Sequence, residues 1–121
     1  MQNLINLTPH AISVYGPDGV IDIPPSGQLC RVRSSQEAIG LLAGIPVYEQ
    51  SFDAVEGLPD PQEGHIFIVS SLVLRALAEM GESRGDVVAP GTGPQDGCVR
   101  DTSGRILGVT RFTTSPRTIK A

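Results

Sequence analysis

The sequence predicts a β-rich α+β fold: a bent antiparallel sheet or small barrel of about seven or eight short strands, with one helix. Three observations carry this. Gly 14 and Pro 10 together make 24 of 121 residues, and they separate many short apolar runs. Only one segment shows helical periodicity. Hydrophobic residues reach 40% against 18% charged, so the chain can build a core and is not disordered by composition. The length fits one domain, residues 1–121, with 113–121 read as a tail, either flexible or docked elsewhere. A domain this size buries roughly two-thirds of the surface that its unfolded chain exposes.

Each element has a local reason. Leu4 to Leu7 is a short apolar run, broken at Pro9, which has no N–H for a ladder. Ala11 to Tyr15 and Val20 to Ile23 flank Gly16-Pro17-Asp18-Gly19, a hairpin signal. Gln28 to Arg33 is a strand with Cys30 and Val32 inward and Leu29, Arg31 and Arg33 outward. Ser34 to Gly44 is ambiguous: Ser34-Ser35-Gln36-Glu37 fits the capping pattern of a single helical turn, yet Gly40 and Gly44 keep any such turn short. Ile45 to Phe52 has strand propensity, with Pro46 marking an edge. His65 to Val69 is the most apolar run and predicts a central strand.

The helix follows. Ser70 or Ser71 caps it, Val73, Ala76, Leu77 and Met80 form one apolar stripe, and Gly81 stops it. Asp86 to Ala89 is a short strand. Residues 98–112 read as a second hairpin around Asp101-Thr102-Ser103-Gly104, where Asp101 opens the turn.

Net charge is −4, which argues against general nucleic-acid binding. The charge is uneven. Residues 1–60 set Arg31 and Arg33 against seven acidic residues, whereas residues 61–121 carry seven basic against six. Cys30 and Cys98 lie far apart without a Cys-x-x-Cys pair, so zinc is not expected and free thiols are the default. A disulfide between them stays open at this level. No apolar run reaches signal or membrane-span length, which predicts a cytoplasmic protein without membrane contact.

The loop from Gly91 to Gly97 is the candidate binding site. Its glycines can turn several N–H groups toward one anion, and Arg84 and Arg100 flank it. Arg84, Gly91, Thr92, Gly93, Gln95, Asp96 and Arg100 are therefore the expected ligand contacts. The loop leads into a strand, so it is neither a Walker loop nor a dinucleotide fingerprint. The competing reading is a plain β–β connection. His10 and His65 are single histidines with no triad order around them, and Asp53, Glu56 and Asp60 fit no calcium loop. No catalytic residue, metal or cofactor is expected.

Several stretches carry a resemblance over nearly the whole chain. These are Asn6-Leu7-Thr8-Pro9-His10-Ala11-Ile12, Gly44-Ile45-Pro46-Val47, Gly57-Leu58-Pro59, Ile68-Val69-Ser70-Ser71, Asp86 to Pro94, and Arg100-Asp101 with Gly104 to Val109. They resemble a family of small uncharacterised proteins of bacteriophages, prophages and actinobacteria. A weaker similarity is to phage anti-defence sponges of the Thoeris type, which sequester nucleotide immune signals; no binding residue carries over. The resemblance implies a non-enzymatic sponge, in a bacterial cytoplasm, for a cyclic ADP-ribose variant or cyclic oligonucleotide. Its pocket would lie at a homo-oligomer interface. Two other readings stay open. One is a phage structural or protein–protein interaction domain with an exposed edge near Ile45 to Phe52. The other is a small nucleotide hydrolase using His10 or His65 as base.

Overall fold

The computed structural model describes residues 3–82 and 84–114. The fold is β-rich α+β, as expected, and no barrel closes among the described residues. The core sheet has four strands in the order β1 (Asn3–Asn6), β6 (His65–Ile68), β7 (Val87–Pro90), β10 (Phe112–Thr113). It is mixed rather than antiparallel. β1 and β7 both run parallel to β6, and β10 is antiparallel to β7. For β6 and β7 the crossover that a parallel pair requires is the helix α1 (Ser71–Glu79).

α1 begins where the sequence places it. The Val73 N–H donates to the Ser70 hydroxyl at 3.2 Å. It ends in a Schellman cap. Gly81 sits at φ +75, the Glu82 N–H donates to the Leu77 carbonyl at 3.0 Å and the Gly81 N–H to that of Ala78 at 3.2 Å. The buried stripe is Val73, Leu74, Ala76 and Leu77. Met80 is the exposed cap residue, and Leu74 takes its expected place in the core. Val73, Leu74 and Leu77 pack with Leu7, Cys30, Phe67, Val69, Val87 and Ala89. Each fully buried aliphatic side chain contributes roughly 1.5–3 kcal/mol before entropy is counted.

Two antiparallel ribbons stand beside this sheet. β2 (Ile12–Gly16) pairs with β3 (Gly19–Ile23) across the expected turn. β8 (Val99–Arg100) pairs with β9 (Ile106–Gly108). The ribbons join where the Tyr15 N–H donates to the Val109 carbonyl at 2.8 Å and the Val109 N–H to that of Ser13 at 2.9 Å. Only glycine allows this approach at 108, because a Cβ there would lie 2.6 Å from the Ser13 carbonyl oxygen. The expected closing strand 105–112 is thus divided. Its first part joins β8 and its last residues join the core sheet.

Residues 34–44, ambiguous in the sequence, are strand and turn. They form no helical turn. They belong to β4 (Arg31–Leu42), which pairs along its length with β5 (Ile45–Glu56) as one long hairpin arm. Ala43 at φ 52 and Gly44 at φ 79 close it, the paired left-handed geometry of a tight two-residue turn. Bulges between Arg33 and Ser34 and between Ala38 and Gly40 interrupt the register and strengthen the local twist. The base of the arm, through Val32 and Val55, packs on the core cluster. Among the described residues no helix is long and apolar enough to cross a membrane. Of the expected tail, Thr113 lies in β10, and residues 115–121 lie outside the described residues.

Asn6 ties these parts together. Its side chain is buried and its amide is fully used. The nitrogen donates to the carbonyls of His10 at 2.8 Å and Ile23 at 3.1 Å. The oxygen accepts from the Thr8 N–H at 2.9 Å and the Thr8 hydroxyl at 2.7 Å. Asn6→Asp keeps the shape but removes both donors and buries a charge. It is expected to cost about 3 kcal/mol or more in chemical denaturation at neutral pH. A loss below about 0.5 kcal/mol, the level of an ordinary surface substitution, would contradict this role.

Candidate functional site

The loop 91–97 leaves β7 at Pro90, whose partner in the sheet is Phe112. The Gly91 N–H donates to the Arg111 carbonyl at 2.9 Å. Gly91 is buried, and a Cβ on it would meet the Arg111 side chain at 2.8 Å. The Gly93 N–H donates to the Asp96 carboxylate at 2.8 Å, and the Asp96 N–H returns to the Gly93 carbonyl at 3.1 Å. The Thr110 hydroxyl lies within 3.2 Å of the Asp96 carbonyl and 3.1 Å of the Gly97 carbonyl. The carboxylate of Asp96 therefore occupies a position that the sequence offers to an outside anion. Thr92 and Gln95 are exposed.

The flanking arginines do not converge on this loop. Arg84 grips Asp86 through two bonds of 2.9 and 3.0 Å and donates to the Pro59 carbonyl at 2.8 Å. Both side chains of this pair are largely buried. Arg84 precedes β7 and the loop follows it, so a strand of about 10 Å separates them. Arg84 thus joins the loop around Pro59 to the sheet. Arg100 is exposed and donates to the Gly104 carbonyl at 2.9 Å, closing the β8–β9 turn. Asp101 opens that turn as expected. Its carboxyl is held below its ordinary value, first by the Ser103 hydroxyl and then by the Arg105 N–H.

Cys30 and Cys98 are free thiols. Burial pushes the Cys30 thiol up to about 11, against the opposing pull of Arg84. At neutral pH it is a protonated core side chain and not a nucleophile. His65 Nδ1 lies 3.1 Å from the Glu63 carbonyl, and no hydrogen bond joins either imidazole to a carboxylate among the described residues. His10 is exposed.

Two surfaces remain: a groove that no sequence signal marks, and the arm, where the sequence offers only an exposed edge near Ile45 to Phe52. The first is an apolar groove of about 340 Å³ where the ribbons meet, lined by His10, Ile12, Pro90, Thr92, Ile106 and Leu107. Thr92 is the one expected contact that reaches it. Arg105 and Arg111 bracket the β9 segment beside it. The ion pairs among the described residues are Arg33–Glu56, Arg75–Glu79 and Arg84–Asp86, so Arg100, Arg105 and Arg111 have no carboxylate partner there. The second is the tip of the arm. Ile39 is 60% exposed, Leu41 73%, Leu42 71%, Ile45 65% and Tyr48 57%. In a ribbon of two strands each strand keeps one edge unpaired. The strand propensity of Ile45 to Phe52 was the available signal for this surface, and the exposed edge expected there is present.

Compared with known proteins, the chain matches no family model, no curated protein and no solved structure.

Proposed function

We propose that this chain is a non-enzymatic protein–protein interaction module of the bacterial cytoplasm, and that the β4–β5 arm is its working element. The exposed apolar tip carries this reading. Five large apolar side chains, each more than half exposed, crowd the turn of one hairpin. A scattered exposed leucine is ordinary, but five such side chains gathered at one hairpin end, on both of its faces, mark a contact surface. A two-stranded ribbon is marginal by itself in water, so an arm this long gains order when a partner covers it. Its open edges also suit strand addition. A phage structural or protein–protein interaction domain, the alternative to the sponge, fits this arrangement.

Sequestration of a nucleotide signal is the second reading. It is supported by Thr92 on the groove and by Arg105, which adjoins the lining residue Ile106 in the chain and has no carboxylate partner among the described residues. It requires that a cyclic dinucleotide or a cyclic ADP-ribose isomer raise the melting temperature. No shift with any member of such a panel would exclude it.

The interaction reading is tested by photo-crosslinking in producing cells. A benzophenone side chain is placed at Leu41, at Tyr48, and at the exposed turn residue Asp18 as control. Discrete adducts of higher mass are expected from the two arm positions and not from Asp18. Absence of adducts from both arm positions would overturn the reading.

A further inference from the structure

We propose that the partner of the arm is a second copy of this chain, and that the tip of one copy seats in the groove between the ribbons of the other. This inference rests on the interaction reading above and names its partner.

Charge is the first argument. Residues 34–55, the arm beyond Arg33, contain Glu37, Glu49 and Asp53 and no basic residue. Glu37 stands directly opposite Glu49 in the register. Like charges in that position oppose the pairing they sit in, unless a cation from elsewhere comes between them. Residues 97–114 carry the opposite balance: Arg100, Arg105 and Arg111 against Asp101 alone. That one carboxylate is already engaged by the Ser103 and Arg105 N–H groups at 2.9 Å each. An acidic arm and a basic segment that supplies part of the groove wall, its arginines without carboxylate partners among the described residues, are thus present on one molecule.

Pattern is the second argument. Along β5, Ile45, Val47 and Glu49 share a face by alternation, and their partners across the ribbon are Leu42, Gly40 and Glu37. One face of the arm therefore runs from an apolar tip to a pair of carboxylates. The groove lining is apolar at Ile12, Pro90 and Leu107, and Arg105 directly precedes its lining residue Ile106 in the chain. Apolar burial would supply affinity, and the charges would set register and encounter rate.

Reach is the third. From Arg33 to Leu42 the arm extends about 30 Å, comparable with the diameter of a domain of this size. Its base packs on α1, and within one chain both the tip and the groove residues Ile106 and Leu107 stay exposed. The arm therefore leaves its own groove uncovered and is long enough to enter a neighbour's. Because tip and groove are different surfaces, the contact is heterologous. It closes either as a reciprocal two-fold exchange of arms or as a ring.

The test is sedimentation velocity of the full chain over a concentration series, with thermal melts confirming that each variant folds. The wild type is expected to assemble. Leu42→Asp with Ile45→Asp, Glu37→Arg with Glu49→Arg, and Arg100→Glu with Arg105→Glu should each weaken association by about tenfold or more. The two charge reversals mixed together should recover it, because each reversed arm then meets a reversed groove. A wild type that sediments as the 12.8 kDa monomer throughout would overturn the proposal, as would a mixture no better than its components. The crosslinking above separates the two levels of failure. Arm adducts with a different protein would remove the homotypic partner and leave the interaction reading standing; no adducts would remove both.

Discussion

The arrangement depends on one buried amide. Asn6 ends β1 inside the core, where an unpaired polar group costs most, and it spends both donors and both acceptor positions on neighbours. Those neighbours are the turn at Thr8 to His10 and the last residue of β3. The position of the β2–β3 ribbon relative to the core sheet is thereby fixed. That ribbon in turn holds β9 through the bonds between Tyr15, Ser13 and Val109. The groove wall, built from His10, Ile12 and Leu107, is thus located by a hydrogen-bond chain that starts at one side chain.

The rest follows from how little core there is. One helix and four short strands make the main packed layers, and their apolar faces are consumed by each other. The base of the arm shares that core through Val32 and Val55, and nothing in the layers is left to receive its tip. A long ribbon with an apolar end then has two outcomes in water, association or aggregation. Carboxylates at Glu37 and Glu49 disfavour indiscriminate edge pairing while leaving a partner with fixed cations acceptable. Under the proposed exchange between copies, the arm and the groove would each supply what the other lacks.

How much of this the sequence discloses depends on the range of the interaction. Local chemistry is legible. The Ser70 cap, the Gly81 stop, the Gly16 to Gly19 turn and the inward Cys30 all follow from residues within a few positions of one another. Even the mixed sheet has a sequence sign, since His65 to Val69, the helix and Asp86 to Ala89 are spaced as a strand–helix–strand unit, the arrangement that forces a parallel pair. Residues 34–44 are ambiguous because Ser-Ser-Gln-Glu satisfies a capping pattern, whereas the pairing partner that makes them a strand lies beyond the Ala43-Gly44 turn. The site is less legible still. A glycine-rich loop between two arginines has the composition of an anion site. Yet Asp96 lies close enough to Gly93 to take its N–H, and Asp86 lies close enough to Arg84 to take its guanidinium. Pairings over two or three residues thus redirect groups that composition alone assigns to a ligand.

Hydrogen exchange tests the central claim most directly, because it reads arm and groove in one measurement on the unmodified chain. Amides from Ile39 to Tyr48 and from Ile106 to Val109 are expected to exchange slowly in concentrated protein and faster on dilution, both segments over the same concentration range. Rates in the two segments that are independent of concentration, or protection that changes in the arm and not in the groove, would contradict the account.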